Sequence, residues 1–360
     1  MEKTRISKIQ LFTLLSGFLF GSTVIVAPVA GAKNDAWISM IIGGTCGILL
    51  MLVYASISLL NPSKTLVDIL REKFGKVPGS IVGVLYVWYF VHVASLVLRD
   101  YGEFICTVTF PETPMIVVIV IFAIVVLYGV NSGIEVIGRV SELLMPVIPV
   151  SVLIITFSLF TISDFTAFLP VQERGMMPVL DAAFSYITFP FGETVAFLMV
   201  YPHLNRMEEI RKTVLTSAVI LSTLGVIIFF RDIFVLGTEL LSRATFIPHV
   251  TSLIFPEINV DPLIDINLMI AGGIKISVCL YAASTALSQL TGIENYSWLS
   301  GALTVFCIVL SVWQFENVLE LFTWTDKIWP FYSVPFQIII PLVLFVMSLP
   351  DRKKAANHKD

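Results

Sequence analysis

Phe189-Pro190-Phe191-Gly192-Glu193 stands at the centre of an apolar run, Val179–Pro202, long enough to cross a bilayer. A spanning helix needs about 20 mostly apolar residues. In a helix interior a proline costs about 3 kcal/mol and a glycine about 1. The run is therefore expected to kink or unwind at its middle, with a carboxylate at the bend. A second run, Ile9–Ala30, carries Gly17, Gly21-Ser22-Thr23 and Pro28, and the same expectation holds there. Either break alone fits an ordinary membrane-helix kink, since Gly and Pro are frequent in such helices. Together they say more, because they lie about 170 residues apart in a chain of 360. Interrupted spans at corresponding positions of two halves point to a solute site between inverted repeats. Unwound backbone frees N–H and C=O groups, and half-helix N-termini favour an anion such as an amino-acid carboxylate. The expected fold is an all-α polytopic membrane protein of ten transmembrane helices. It is a five-plus-five inverted repeat with helices one and six broken, as in amino-acid transporters; the competing reading is an unrelated ten-helix bundle.

The rest of the chain supports a membrane protein. Apolar side chains make up 57% and charged ones only 13%, against roughly 45–50% and 25% in soluble domains. The other runs read as spans are Trp37–Leu60, Ser80–Thr107, Met115–Tyr128, Ile134–Ile162, Val214–Leu236, Ile264–Gln289, Trp298–Val312 and Phe331–Leu349; Met115–Tyr128 and Trp298–Val312 are short. Ile116 to Ile121 is apolar on every face, which excludes β-barrel alternation and leaves helices. The basic start (Lys3, Arg5, Lys8) and Ala30-Gly31-Ala32 resemble a cleavable signal, but the apolar run exceeds the usual 7–15 residues. With both termini inside, inner segments hold fourteen Lys and Arg and outer ones only four, as the positive-inside rule requires. Leu66–Phe74 is expected at the inner surface. The whole is read as one permease domain, residues 1–162 and 163–360 forming its two repeats. Four separated cysteines and four histidines show no disulfide, redox or metal spacing. A net charge of −4 argues against nucleic-acid binding. No hydrolase motif or nucleotide loop is present, so neither an enzyme nor a cofactor or metal is expected.

Charges within the spans are the candidate working parts, since placing one at a helix centre costs about 2.5–3.5 kcal/mol even on insertion scales. Lys275 lies mid-way along span eight on a stripe of small residues, Ala271, Cys279, Ala282 and Ala286. Glu193 is its candidate partner; a register-fixing ion pair and a ligand or proton role are both open. Tyr89, His92, Arg99 and Glu103 share one face of span three. His92 reads either as a packing residue or as part of a site, and Arg99–Glu103 as a structural pair or the lining of an outer vestibule. Arg139 with Glu142 and Arg231-Asp232 are expected to pair or snorkel without chemistry.

These residues carry a resemblance. Ile6-Ser7-Lys8-Ile9-Gln10 leading to Gly21-Ser22, Arg99-Asp100-Tyr101-Gly102-Glu103-Phe104-Ile105 with Thr113-Pro114, and Phe189 to Glu193 resemble the B-subunit permeases of spore germinant receptors. Lys275-Ile276-Ser277 with Tyr281-Ala282-Ala283, and the Pro341 helix ending in Arg352-Lys353-Lys354, do so too. The likeness runs from about residue 6 to 354. It implies a LeuT-like core of the amino acid/polyamine/organocation permease superfamily, placed in the spore inner membrane beside A and C subunits. It also implies a small nutrient ligand, an amino acid or sometimes a sugar, whose binding triggers ion and dipicolinate release. The ligand-binding residues implied are Gly21, Ser22, Thr23, Phe191, Gly192 and Glu193, with Tyr89 and His92 facing them. Lys275, Arg99 and Glu103 are the coupling or structural charges. Thr23 departs from the pattern, because many permeases place a second glycine there, and a β-branched residue leaves a ligand less room. A proton-coupled amino-acid transporter, and a channel or scaffold, are the alternative functions.

Overall fold

The computed structural model describes residues 5–21, 23, 28–172, 174–241, 243–254 and 261–356. Predicted Ser22 lies outside the described residues. Ten helical segments in chain order match the ten expected spans, nine of them long and apolar enough to cross a membrane among the described residues. Span one is the exception: α1 (Lys8–Phe20) has only 13 residues and stops at Gly21 instead of continuing to Ala30. Its start is fixed by a capping box, Gln10 N donating to Ser7 Oγ (3.1 Å) and Ser7 N to Gln10 Oε1 (2.9 Å). A 3-10 turn, Ala30–Asp35, leads into α2 (Ala36–Leu60).

The amphipathic α3 (Leu66–Phe74) buries Leu66, Val67, Ile69 and Leu70. Span three is α4 (Lys76–Phe104) and span four α5 (Met115–Ser132), 18 residues and so long enough after all. Span five is two helices, α6 (Ile134–Leu144) and α7 (Val147–Ser158), because Pro146 interrupts it. Span six begins as α8 (Met177–Tyr186), passes a wide π turn and continues as a 3-10 helix, Gly192–Met199. Span seven is α9 (Ile210–Leu241), followed by the short α10 (Ile247–Leu253). Span eight is α11 (Asp261–Thr291) and span nine α12 (Tyr296–Trp313), also 18 residues. The amphipathic α13 (Val318–Lys327) was not foreseen. Span ten joins α14 (Trp329–Val334) to α15 (Ile340–Ala356) through a π turn at Pro335–Ile339.

Burial separates two populations. In spans three, six and eight, 72%, 83% and 72% of the most apolar window is buried inside the protein, against 28–33% in spans four, five, seven, nine and ten. The first group forms the interior with α1, and the second presents its apolar side chains outward, as lipid-facing helices do. At the end rich in Lys and Arg, α3 caps the interior. Arg71 donates to the carbonyls of Gln289 (2.9 Å) and Leu290 (3.3 Å), and Thr65 Oγ1 bonds Gln289 Oε1 at 2.8 Å. The two bonds from Arg71 satisfy carbonyls that the end of α11 leaves without helical partners.

Candidate functional site

The two breaks meet at Lys275. At the first, the Gly21 N–H turns back to the Phe18 carbonyl (3.3 Å) and the helix ends. Thr23 Oγ1 lies 3.3 Å from the Leu19 carbonyl oxygen and 3.0 Å from that of Phe20. The hydroxyl thus serves carbonyls that the lost turn would have served. Gly21 is where span one touches span eight: a Cβ there would lie 2.8 and 2.9 Å from Cδ and Cβ of Lys275 and 3.1 Å from the Ala271 carbonyl oxygen. Only a residue without a side chain allows that approach.

At the second break, Phe189 leaves helical geometry (φ −138°, ψ 112°) ahead of Pro190. Glu193 lies one turn further on, buried, and its Oε2 is 2.5 Å from Lys275 Nζ. Lys275 is wholly buried, and its ammonium also sits 4.5 Å from the centre of the Phe189 ring and 5.4 Å from that of Phe18. Aromatic faces stabilise a cation in this range. One side chain of span eight therefore ties together the broken ends of spans one and six.

Gln337, in the π turn of span ten, completes the second break. A Cβ on Gly192 would fall 2.0 Å from Gln337 Oε1. Gln337 Nε2 donates to the Thr188 carbonyl (2.9 Å) and to Tyr89 Oη (2.7 Å). Tyr54 Oη sits 3.1 Å from the Gly192 carbonyl oxygen and 2.6 Å from that of Gln337. Tyr89 thus reaches the break through Gln337, its ring stacked on Phe336 with centroids 4.7 Å apart. Neither Gln337 nor Tyr54 stood out in the sequence, where each is one polar group in an apolar run. The only available signal for Gln337 was an amide two residues after Pro335.

The other span-three residues face elsewhere. His92 bonds Gln314 Oε1 (2.8 Å) and Tyr332 Oη (3.2 Å), among the rings of Trp88, Trp324 and Trp329. Arg99 pairs with Glu103 at 2.6 Å and donates to the carbonyls of Ser311 (3.0 Å) and Val312 (3.1 Å) at the end of α12. Their described partners lie on spans three, nine and ten and on α13, and not on the break residues. Arg231 and Asp232 pair with each other at 2.6 Å, as expected.

Two spaces adjoin the breaks. A cavity of about 90 Å³ is lined by Phe20, Thr23, Tyr186, Pro190 and Phe191, and by Asp232 at its edge. A cleft of about 400 Å³ opens at the end opposite the basic one, with Ser185, Phe189 and Trp329 lining it and Lys33 and Lys327 among the residues of its connecting segments. Phe189 borders both this cleft and the ammonium of Lys275.

The sequence model of the spore permeases, described as "Spore germination protein", matches residues 5–318. The chain belongs to the spore germination permease family. Spore germination protein KB of Bacillus subtilis (strain 168) is 30% identical over 371 aligned positions, covering 100% of this chain and 98% of that one. Spore germination protein YndE of the same organism is 22% identical over 96% of each chain. Among solved structures, MhsT in complex with L-phenylalanine superposes with a TM-score of 0.68 over 97% of this permease and 100% of that chain, at 14% identity. A sodium-coupled sialic acid symporter gives 0.70 at 13% identity, covering 96% and 79%. The permease therefore has the LeuT-like fold of five plus five inverted spans with helices one and six broken, and it belongs to a permease family rather than an enzyme family.

Proposed function

We propose that this permease is the nutrient-sensing B-type subunit of a spore germinant receptor, with an amino acid as its ligand. One observation carries the reading: the two broken spans converge on a buried lysine–glutamate pair beside a small cavity, beneath a cleft open to one end. The ligand enters through the cleft past Phe189 and contacts Thr23, Phe191 and the main chain at Gly21, Gly192 and Glu193. Tyr89, tied to the second break through Gln337, stands behind as the wall from span three, while His92 lies outside the site. Residues 1–162 and 163–360 act as the two repeats of one domain. The basic end, with both termini, faces the cytoplasm of the spore inner membrane, and A and C subunits assemble with the chain.

A sensor works only if its ligand binds one of two conformations better than the other. The Lys275–Glu193 pair is the natural element to differ between them. Support for an amino-acid ligand is the fold shared with MhsT, whose structure holds L-phenylalanine. That neighbour and the symporter favour the second reading, a proton-coupled amino-acid transporter in which the same pair moves the proton. Binding of a panel of amino acids and sugars to purified protein in nanodiscs, followed by uptake into proteoliposomes under a proton gradient, tests both. Saturable binding without accumulation supports the sensor and accumulation the transporter; no binding by any member of the panel removes the first reading. In spores, Glu193→Gln is expected to weaken the nutrient response while leaving protein abundance close to normal. An unchanged dose response counts against a site role for Glu193.

A further inference from the structure

One face of span seven walls the small cavity beside the breaks. Ser222, Gly225, Phe229 and Asp232 follow at intervals of three, four and three along α9, so they share a face, and all four line the cavity. Among the described residues that line it, Asp232 alone is charged. The carboxylate is 4% exposed, and its described bonds all end on Oδ1: Arg231 Nη2 at 2.6 Å, Arg231 Nε at 2.8 Å and Thr251 Oγ1 at 3.2 Å. Oδ2 has no partner among the described residues. A buried carboxylate oxygen without a bond is costly, and more so at membrane depth. Bordering a cavity, it is open to whatever occupies that space.

The rest of the lining says what that occupant is. Tyr186, at the end of α8, is buried and lines the same cavity, and its hydroxyl bonds nothing among the described residues. A Cβ on Gly225 would lie 3.3 Å from Tyr186 Oη, so this hydroxyl sits against the face of α9 that carries Asp232. The other two hydroxyls are engaged: Thr23 serves carbonyls of span one, and Ser222 Oγ donates to the Ala218 carbonyl at 2.7 Å. The remaining wall is apolar, with Phe20 and Phe191 contributed by the breaks. A bare divalent ion such as Ca²⁺ takes about six to eight oxygens, whereas these side chains bring one carboxylate and three hydroxyls. An alkylammonium group takes one charged acceptor and beds its carbon chain on apolar walls. The way in is on the same side. Pro28, Ala30 and Ile247 line both the cavity and the cleft, and Thr251, whose hydroxyl reaches Asp232, also bonds the Ile247 carbonyl at 2.8 Å.

We propose that Asp232 Oδ2 binds the ammonium group of the ligand, so that span seven determines specificity and the ligand class is a primary amine with a small apolar body. The inference rests on reading this cavity as the ligand site. The test adds n-propylammonium chloride, sodium propionate or 1-propanol to the full-length protein in nanodiscs at fixed pH and ionic strength, and reads the melting temperature. A compound that binds the folded state raises it saturably. Propylammonium is expected to do so with the wild type, and its anionic and neutral counterparts are not. Asp232→Asn keeps the shape, removes the charge and is expected to abolish the rise. Ile228→Phe narrows the cavity, leaves the Arg231–Asp232 pair in place and is expected to raise the half-saturating concentration at least tenfold, which keeps the proposal falsifiable if Asp232→Asn does not fold. A wild type blind to propylammonium overturns the proposal, whether or not an amino acid binds in the panel above. Equal rises with 1-propanol, or a rise that survives Asp232→Asn, overturn it as well. A propylammonium response lost in both variants, with no panel member bound, upholds the amine site and removes only the amino-acid reading.

Discussion

Lys275→Met would leave the Glu193 carboxylate buried with its 2.5 Å partner gone. Removing one member of a buried pair costs about 3–5 kcal/mol, whereas replacing both by neutral groups is often tolerated. The single variant is therefore expected to melt far below the wild type in nanodiscs, and Lys275→Met/Glu193→Gln to recover most of the loss. Equal damage in single and double variants would mean that the pair does not stabilise this core. The pair was legible in the sequence because opposite charges at the centres of two apolar runs have few other partners to choose from. Gln337 and Asp100 were not legible, for different reasons. Gln337 carries no charge, and its importance comes from the 2.0 Å that separates its Oε1 from a Cβ on Gly192, a three-dimensional fact. Asp100 sits beside Arg99, which the sequence pairs with Glu103 on one face of span three, and Asp100 falls off that face. The helix turns Arg99 towards α12 and leaves the aspartate to the interior.

The breaks are where a local rule decided the structure of an element. Pro190 and Gly192 stop a regular helix wherever they stand, so the bend in span six could be read without knowing what packs there. The first break depends more on its neighbours, and Gly21 is tested by what it touches. Gly21→Ala puts a methyl 2.9 Å from Lys275 Cβ and 3.1 Å from the Ala271 carbonyl, atoms too close to the α11 backbone to swing away. Overpacking of this kind costs about 1–3 kcal/mol, and a lowered melting temperature with weakened ligand binding is the expected outcome; wild-type values for both would show that α1 and α11 can separate freely. Thr23→Val keeps the shape and deletes the hydroxyl that serves the Leu19 and Phe20 carbonyls. The expected loss is about 1 kcal/mol of stability, read by the same melting assay, and no loss would mean that water serves those carbonyls equally well. Thr23 was read as a residue crowding a ligand; it also terminates the helix. The missed α13 shows the opposite limit. Glu320, Asp326 and Lys327 lower its hydropathy, while its apolar face finds partners only in three dimensions, Phe322 against Phe246 and Trp324 against His92 and Trp329.

At the scale of the whole molecule, the basic end is held shut by a contact that no hydropathy pattern reveals. Ile6 pairs with the segment after span six in a short parallel bridge, its N–H donating to the His203 carbonyl (2.8 Å) and its carbonyl accepting from Asn205 N (3.0 Å). Lys8 meets Glu209 at 3.1 Å, and Tyr281 Oη of span eight lies 3.2 Å from His203 Nε2. The contact thus joins the basic ends of spans one, six and eight, the same three that meet at Lys275. Opening the protein towards that end requires breaking it. Cys279, one turn beyond Lys275 on α11 and 1% exposed, is a built-in reporter of such opening. In a background with the more accessible Cys46 and Cys106 changed to serine, Cys279 should resist a membrane-impermeant maleimide supplied from the side of the basic end. Ile6→Pro removes the N–H that reaches His203 and strains the return bond from Asn205. Two backbone hydrogen bonds at about 1 kcal/mol each shift an opening equilibrium by roughly tenfold or more, since 1.4 kcal/mol is a factor of ten. Cys279 labelling in Ile6→Pro is therefore expected to accelerate by about that factor. A ligand that favours the closed form would slow it again, and one that favours opening would speed the wild type itself. Labelling unchanged by Ile6→Pro would show that some other contact keeps the basic end closed.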